Sequence, residues 1–114
     1  MAQGIPYDVR FKVIERAKGR CELCGLVVKP RPAHLHHRRP RGMGGSKANP
    51  HRASNLLHLH PTCHLFRVER KRQESLTNGW IVQQALDPSM IPVLMWDGWW
   101  CLRDDGTLER YVPD

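Results

Sequence analysis

Two short motifs with cysteine constrain this fold more than any other feature. Cys21 and Cys24 are separated by two residues, and His60 and Cys63 repeat that spacing later in the chain. Structural zinc prefers four sulfur or nitrogen ligands in a tetrahedron, and two such pairs supply them. We therefore predict a structural zinc site that joins the segment after a first helix to a later strand–helix junction. Two other histidines are alternatives for the fourth ligand: His34 and His58. Buried free thiols are the alternative to a metal.

The pattern of apolar residues and turns indicates a small α+β fold in a single domain, residues 1–114. An N-terminal helix is expected over residues 7–18, and a second helix from Pro61 to about Glu74. Short strands are expected over 26–28, 33–37 and 55–59. Apolar pieces separated by Asp-Pro and Asp-Gly turns predict a C-terminal β-hairpin or meander over residues 79–112.

The charge favours an anionic partner. Lys and Arg number 18 against 11 Asp and Glu, for a formal net charge of +7, and basic residues surround the histidine-rich middle of the chain. Such a balance attracts phosphate groups, so nucleic acid is the first partner to expect. The sequence has no apolar stretch of membrane-spanning length and no secretory signal at its start. We expect a cytoplasmic protein without a membrane partner, in which cysteines bind metal and do not form disulfides.

A second metal site is expected because a zinc ion with four side-chain ligands has no open position for water. His64 begins the second predicted helix, where the helix dipole favours an anion. A divalent metal held by His36 and His64 would meet a phosphate there, with neutral His37 as the general base. Neighbouring residues on a strand face opposite sides, so His36 and His37 share a surface only if the strand ends or twists there.

Four segments together resemble the HNH endonuclease family. They are His36-His37-Arg-Arg-Pro, Gly42-Met-Gly-Gly-Ser46, Asn55-Leu-Leu and His60-Pro-Thr-Cys63-His64. The resemblance covers about Cys21 to Arg72 and is closest to bacteriophage HNH nucleases and the HNH domains of restriction enzymes. It implies a ββα-metal core, a β-hairpin and helix around a divalent metal. It also implies hydrolysis of DNA phosphodiester bonds to 5′-phosphate and 3′-hydroxyl ends.

The resemblance also assigns roles to residues. His37 becomes the first histidine of the motif and the general base, Asn55 an orienting residue, and His64 the final histidine and a metal ligand beside His36. The similar nuclease colicins have a third histidine ligand one helical turn after the final one, where this chain has Val68. Two protein ligands leave room for water and phosphate, which suits Mg²⁺ or Mn²⁺.

Six basic residues are candidates for contacts with DNA phosphates: Arg38, Arg39, Arg41, Lys47, Arg67 and Arg70. A solvated cationic face is the alternative for each of them. Two further functions stay open at this point. One is a zinc-stabilised nucleic-acid-binding module without catalysis. The other is a nuclease subunit that acts beside a larger partner, such as phage packaging machinery or a restriction protein.

Overall fold

The first helix, α1, spans Tyr7–Ala17 in a computed structural model that describes residues 4–40 and 49–113. It ends where predicted, because Lys18 and Gly19 both take left-handed backbone conformations, with φ of 53° and 77°. Its buried residue Val13 joins a small apolar cluster that also contains Ile5, Ala53 and Leu56. The helix therefore packs against the middle of the chain.

A two-stranded antiparallel sheet forms the centre of the fold. Strand β1 is His34–His37 and strand β2 is Leu56–Leu59, with His36 opposite Leu57 and His37 opposite Leu56. A short 3-10 turn, Ala53–Asn55, leads into β2, and every residue of β2 is buried. The predicted strands near 33–37 and 55–59 are confirmed. The strand predicted over 26–28 is reduced to one bridge, between Arg20 and Val27.

The segment after β2 is not the single helix that the sequence predicted. A π-helix occupies Cys63–Glu69. Arg70 and Lys71 are not helical, and a short helix, α2, follows over Arg72–Thr77. The buried Ser75 hydroxyl donates a hydrogen bond to the Val68 carbonyl oxygen at 2.8 Å. This contact holds α2 against the π-helix.

The C-terminal part is a three-stranded antiparallel meander, as predicted. Its strands are β3 (Val93–Met95), β4 (Gly98–Leu102) and β5 (Leu108–Arg110), paired in the order β3-β4-β5. Trp80, which precedes the meander, is almost fully buried and donates from Nε1 to the Leu94 carbonyl oxygen at 2.7 Å. It therefore joins the meander to the main apolar core.

The main core lies between β2, the π-helix and the meander. Its buried members are Cys21, Leu23, Val28, Leu57, Leu59, Cys63, Val68, Trp80, Val93, Met95 and Leu102. A buried ion pair lies at its edge, where the Arg16 guanidinium donates to both carboxylate oxygens of Glu22 at 2.7 and 2.8 Å. Glu22 in turn accepts the His58 backbone N–H at 2.9 Å. This network connects α1, the Cys21–Cys24 turn and β2.

Candidate metal centres

Three cysteine sulfurs meet at the junction of the Cys21–Cys24 turn and the π-helix. The Sγ atoms of Cys21, Cys24 and Cys63 all lie within 4.8 Å of one another, and the three thiols are free. Burial and the neighbouring cysteines raise the pKa of Cys63 to about 12. For Cys24 burial acts upward, but hydrogen bonds from the Leu26 backbone, Cys21 and Cys63 lower its pKa overall. Crowded sulfurs of this kind could hold a metal ion such as zinc.

The fourth predicted zinc ligand, His60, lies outside this three-sulfur cluster. Its Nδ1 accepts the Thr62 backbone N–H at 3.1 Å. The two alternative ligands are also engaged elsewhere: His58 Nδ1 contacts the Arg20 carbonyl oxygen at 2.9 Å, and His34 Nδ1 contacts His64 Nδ1 at 3.0 Å. Within the described residues, the cluster therefore consists of three cysteines.

A second group of potential ligands lies between β1 and the π-helix. His36, His64 and Glu69 each place a ligand atom within 4.8 Å of the others. The His36 and His64 ring centroids are 4.8 Å apart, and His64 Nε2 lies 3.8 Å from a Glu69 carboxylate oxygen. The structure thus brings together the two histidines that the sequence selected. Two imidazoles and a carboxylate could hold a divalent metal.

The orientation of His36 is set by the chain that leads to the meander. Its Nε2 lies 2.8 Å from the Trp80 carbonyl oxygen. Because a carbonyl oxygen only accepts, the ring carries its proton on Nε2 and keeps the Nδ1 lone pair for a ligand. Burial lowers the pKa of His36 to about 3 and also lowers the pKa of His64. Both rings are therefore neutral near pH 7, the state in which imidazole binds metals.

Glu69 was missed by the sequence analysis, and the π-helix explains why. In an α-helix, residues five apart lie about 140° away from each other around the axis, so Glu69 would not face His64. A π-helix closes i→i+5 hydrogen bonds and places such residues nearly in line. Val68, one α-helical turn after His64, is instead fully buried in the core. A π-helical stretch over Cys63–Glu69 is the signal that would have revealed this ligand.

His36 and His37 line the same cleft, because β1 ends at His37. This cleft, which we call the metal cleft, has a volume of about 510 Å³ and is also lined by His64, Glu69 and Arg72. His37 Nε2 lies 3.2 Å from Nδ1 of His51, and the two ring centroids are 5.2 Å apart. The predicted general base is thus beside the second ligand group and paired with another histidine.

Asn55 is fully buried and lies behind the metal cleft. Its Oδ1 accepts the Arg39 backbone N–H at 2.7 Å, while its Nδ2 donates to the carbonyl oxygens of Arg39 and Pro50 at 3.2 and 3.0 Å. Its own carbonyl oxygen accepts the Arg38 backbone N–H at 2.7 Å. Asn55 therefore fixes the backbone that follows His37, and it belongs to neither ligand group.

Arg38 was predicted to contact DNA, and the structure contradicts this. The residue is fully buried, and its guanidinium donates to the carbonyl oxygens of Gly79, Ser54, Pro88 and Ile91 at 2.8 to 3.0 Å. A fully buried guanidinium that uses four of its five N–H donors on backbone acceptors cannot also reach a phosphate. Arg38 is instead the connection between β1, the turn before β2 and the chain that leads into β3.

Arg39 was also predicted to contact DNA, and it too is buried. Its Nη1 donates to the Leu86 carbonyl oxygen at 2.8 Å, and its Nη2 is buried without a partner among the described residues. Arg67 and Arg70 are exposed, with guanidinium groups over the rings of Trp80 and Phe66 at 5.1 and 4.4 Å. The remaining two candidates, Arg41 and Lys47, lie outside the described residues.

None of the helices in the described ranges is both long and apolar enough to cross a membrane. The comparisons with known proteins add no relative from which a function could be transferred. The chain matches no protein-family model, no curated protein and no solved structure.

Proposed function

We propose that this chain is a metal-dependent endonuclease of the HNH type that hydrolyses DNA phosphodiester bonds. One observation carries the proposal: His36, His64 and Glu69 converge on one cleft that His37 also lines. A binding module would need positive charge and a stable fold, but it would not need a histidine beside a set of metal ligands. Metal-assisted hydrolysis uses a histidine base together with metal ligands.

The arrangement of elements supports the same proposal. In this proposal, strands β1 and β2 and the π-helix that follows them would be the hairpin and helix of a ββα-metal core, with the ligand group between them. Cys63 of the three-cysteine cluster immediately precedes His64 in the π-helix, and this cluster would hold a structural zinc ion. The two sites therefore have separate roles, one in folding and one in chemistry.

In the proposed reaction, water attacks phosphorus and its proton passes to the imidazole of His37. The bond from phosphorus to the 3′ oxygen breaks, leaving a 5′-phosphate and, after the oxygen takes up a proton, a 3′-hydroxyl. A divalent cation such as Mg²⁺ or Mn²⁺ at His36, His64 and Glu69 would supply positive charge for the developing negative charge. Asn55 acts indirectly, because it holds the backbone that follows His37.

Phosphate contacts must come from residues other than Arg38 and Arg39. Arg72 lines the metal cleft and is exposed, and Arg67 and Arg70 are exposed nearby on the chain. These three exposed side chains are candidates to hold a nucleic-acid backbone beside the cleft. The proposal also retains Arg41 and Lys47 as phosphate contacts, the role that the sequence suggested for them.

Cleavage of supercoiled plasmid by zinc-loaded protein tests the proposal. With Mg²⁺ or Mn²⁺ present, we expect nicked or linear products, and His37→Ala should lower the rate by about 10²- to 10⁴-fold. Added imidazole should restore part of the lost rate, and zinc content should not change. Protein that binds DNA but never cuts it with any divalent metal would instead be a zinc-stabilised binding module. Cutting that appears only with a partner protein present would identify a subunit of a larger nuclease.

A further inference from the structure

A small pocket lies between α1 and the chain that leads into β1. It has a volume of about 180 Å³, and the residues that line it include Tyr7, Arg10, Phe11, Arg31, Leu35 and His58. We call it the His58 pocket. Sites for drug-sized ligands have volumes of about 300 to 1,000 Å³, so this pocket suits a single flat ring system.

His58, which lines the pocket, has a ring nitrogen without a hydrogen-bond partner among the described residues. His58 is 1% exposed, and its Nδ1 lies 2.9 Å from the Arg20 carbonyl oxygen, which can only accept. In the neutral form of the ring this contact puts the proton on Nδ1 and leaves a lone pair on Nε2. That Nε2 is buried and has no hydrogen-bond partner among the described residues. Burial of an unpaired acceptor costs free energy, so an N–H or O–H donor from a ligand would be stabilising here.

The rim of the pocket combines aromatic rings with positive charge. Tyr7 and Phe11 are 81% and 53% exposed, which is unusual for large apolar side chains. Arg10 and Arg31 lie beside them, and neither forms an ion pair within residues 4–40 and 49–113. Aromatic faces interleaved with unpaired cations are typical of sites that hold a base and its phosphate.

The His58 pocket and the metal cleft each share lining residues with a third cavity. A larger groove of about 840 Å³ shares Tyr7, Arg10 and Arg31 with the His58 pocket, and it reaches His64. His64 also lines the metal cleft, and Leu35 lines all three cavities. Because these cavities share lining residues, we infer a path for one strand of nucleic acid that places a phosphate near His64 and a base near His58.

We propose that the His58 pocket binds one unstacked nucleobase of the nucleic-acid strand held in the groove. A ring N–H or exocyclic amine of the base donates to His58 Nε2, Tyr7 and Phe11 contact its faces, and Arg10 and Arg31 bind the adjoining phosphate. The inference rests on the proposed nuclease function, because the groove and the metal cleft share lining residues. It adds a contact with a base, which phosphate-binding residues alone do not supply.

The direct test is ¹⁵N NMR of zinc-loaded, histidine-labelled protein, with no catalytic metal added. The His58 ring nitrogens are assigned by through-bond correlation to the backbone. Titration with deoxyadenosine 5′-monophosphate should shift the Nε2 resonance in the direction of an accepted hydrogen bond. Deoxyribose 5′-phosphate, which has the phosphate but no base, should leave it unchanged. Equal shifts with both compounds, or no shift with any of the four mononucleotides, would overturn the proposal.

A matched pair of variants tests the rim without disturbing the core. Arg31 and Lys29 are both exposed, but only Arg31 lines the pocket. Arg31→Glu should weaken binding of a short single-stranded oligonucleotide more than Lys29→Glu, although both change the net charge equally. One abasic position should weaken binding to natural protein about fivefold or more, and binding to Arg31→Glu by less. Equal effects of the two substitutions would count against the pocket.

Failure of this inference differs from failure of the nuclease proposal. Protein that cuts plasmid, but shows no base-dependent shift at His58, would retain the nuclease function and lose the base pocket. Protein that shows the shift, but cuts no DNA with any divalent metal, would retain the base pocket in a binding module.

Discussion

The Nε2 atom of His36 lies 2.8 Å from the carbonyl oxygen of Trp80, so the chain entering the C-terminal meander orients a candidate metal ligand in β1. The two residues are 44 positions apart in the sequence. Contacts of this kind fix which ring nitrogen faces a metal, and their loss weakens metal binding. The meander is thus connected to the site although none of its strand residues belongs to the ligand group.

The His36 tautomer can be tested with two amide substitutions. The side-chain oxygen of Asn occupies a position close to Nδ1, whereas the longer Gln reaches toward Nε2. If Nδ1 is the ligand atom, His36→Asn should keep more Mn²⁺ affinity than His36→Gln, as measured by electron paramagnetic resonance on zinc-loaded protein. The opposite order would show that Nε2 faces the metal and that the contact with Trp80 is broken on binding.

Glu69 should be required for binding of the second metal. Glu69→Ala should lower Mn²⁺ affinity by about tenfold or more, because one ligand of the group is lost. Glu74→Ala is the matched control, since Glu74 is exposed on α2 and belongs to neither ligand group. Adding Val68→Glu to Glu69→Ala should not restore affinity, because position 68 points into the core. Restoration would mean that this segment forms an ordinary α-helix in solution.

Zinc should depend more on each cysteine of the cluster than on His60. Cys21→Ser and Cys63→Ser should release zinc and unfold the protein, because the metal joins two distant segments of the core. His60→Ala should retain more zinc than either, since His60 lies outside the cluster. The zinc content of each variant is measured by metal analysis after gel filtration. Complete loss of zinc from His60→Ala would place the imidazole back among the ligands.

Arg38 should matter for stability and Arg67 for DNA binding. Arg38→Ala leaves buried carbonyl oxygens without donors and should lower the free energy of unfolding by about 3 kcal/mol or more. Arg67→Ala removes an exposed cation and should change stability little while weakening DNA binding. Urea denaturation and salt-dependent DNA binding measure the two effects. An Arg38→Ala variant with normal stability would contradict the role given to its hydrogen bonds.

The carboxylate of Asp104 should make the fold sensitive to acid. Burial acts upward on its pKa, but hydrogen bonds from Ser54 and Arg52 lower that pKa overall. A carboxyl whose pKa is lower in the folded state stabilises the fold above its unfolded pKa of about 3.9. This stabilisation is lost as the pH falls through the folded pKa.

Asp104→Asn should therefore lower stability at neutral pH and flatten the acid limb of the stability curve. Denaturation between pH 2 and pH 7 measures this. Glu15→Gln is the control, because Glu15 is exposed on α1 and has no ion pair in the described part of the chain. If stability falls equally steeply with acid in the Asp104→Asn protein and the natural one, Asp104 is not the cause of the acid sensitivity.

The sequence by itself determined the features that depend on local spacing. The Cys21 and Cys63 motifs predicted a zinc site with three cysteines and His60, and the three cysteines meet while His60 lies outside their cluster. The apolar period predicted α1, alternating residues predicted β1, and a short apolar segment predicted β2. Adjacent histidines at a strand end predicted that His36 and His37 share a cleft. These features could be read from the chain because each one follows from a few neighbouring residues and a known backbone period.

Only the tertiary structure decided burial and register. Arg38 has the sequence context of a surface cation, yet carbonyl oxygens from distant segments enclose it. Glu69 became a candidate ligand because packing after β2 produces a π-helix in place of an α-helix, which shifts the faces that later residues occupy. His58, an alternative zinc ligand in the sequence analysis, instead contacts the Arg20 carbonyl oxygen and lines a pocket beside α1. Long-range packing sets these outcomes, and no local period encodes it.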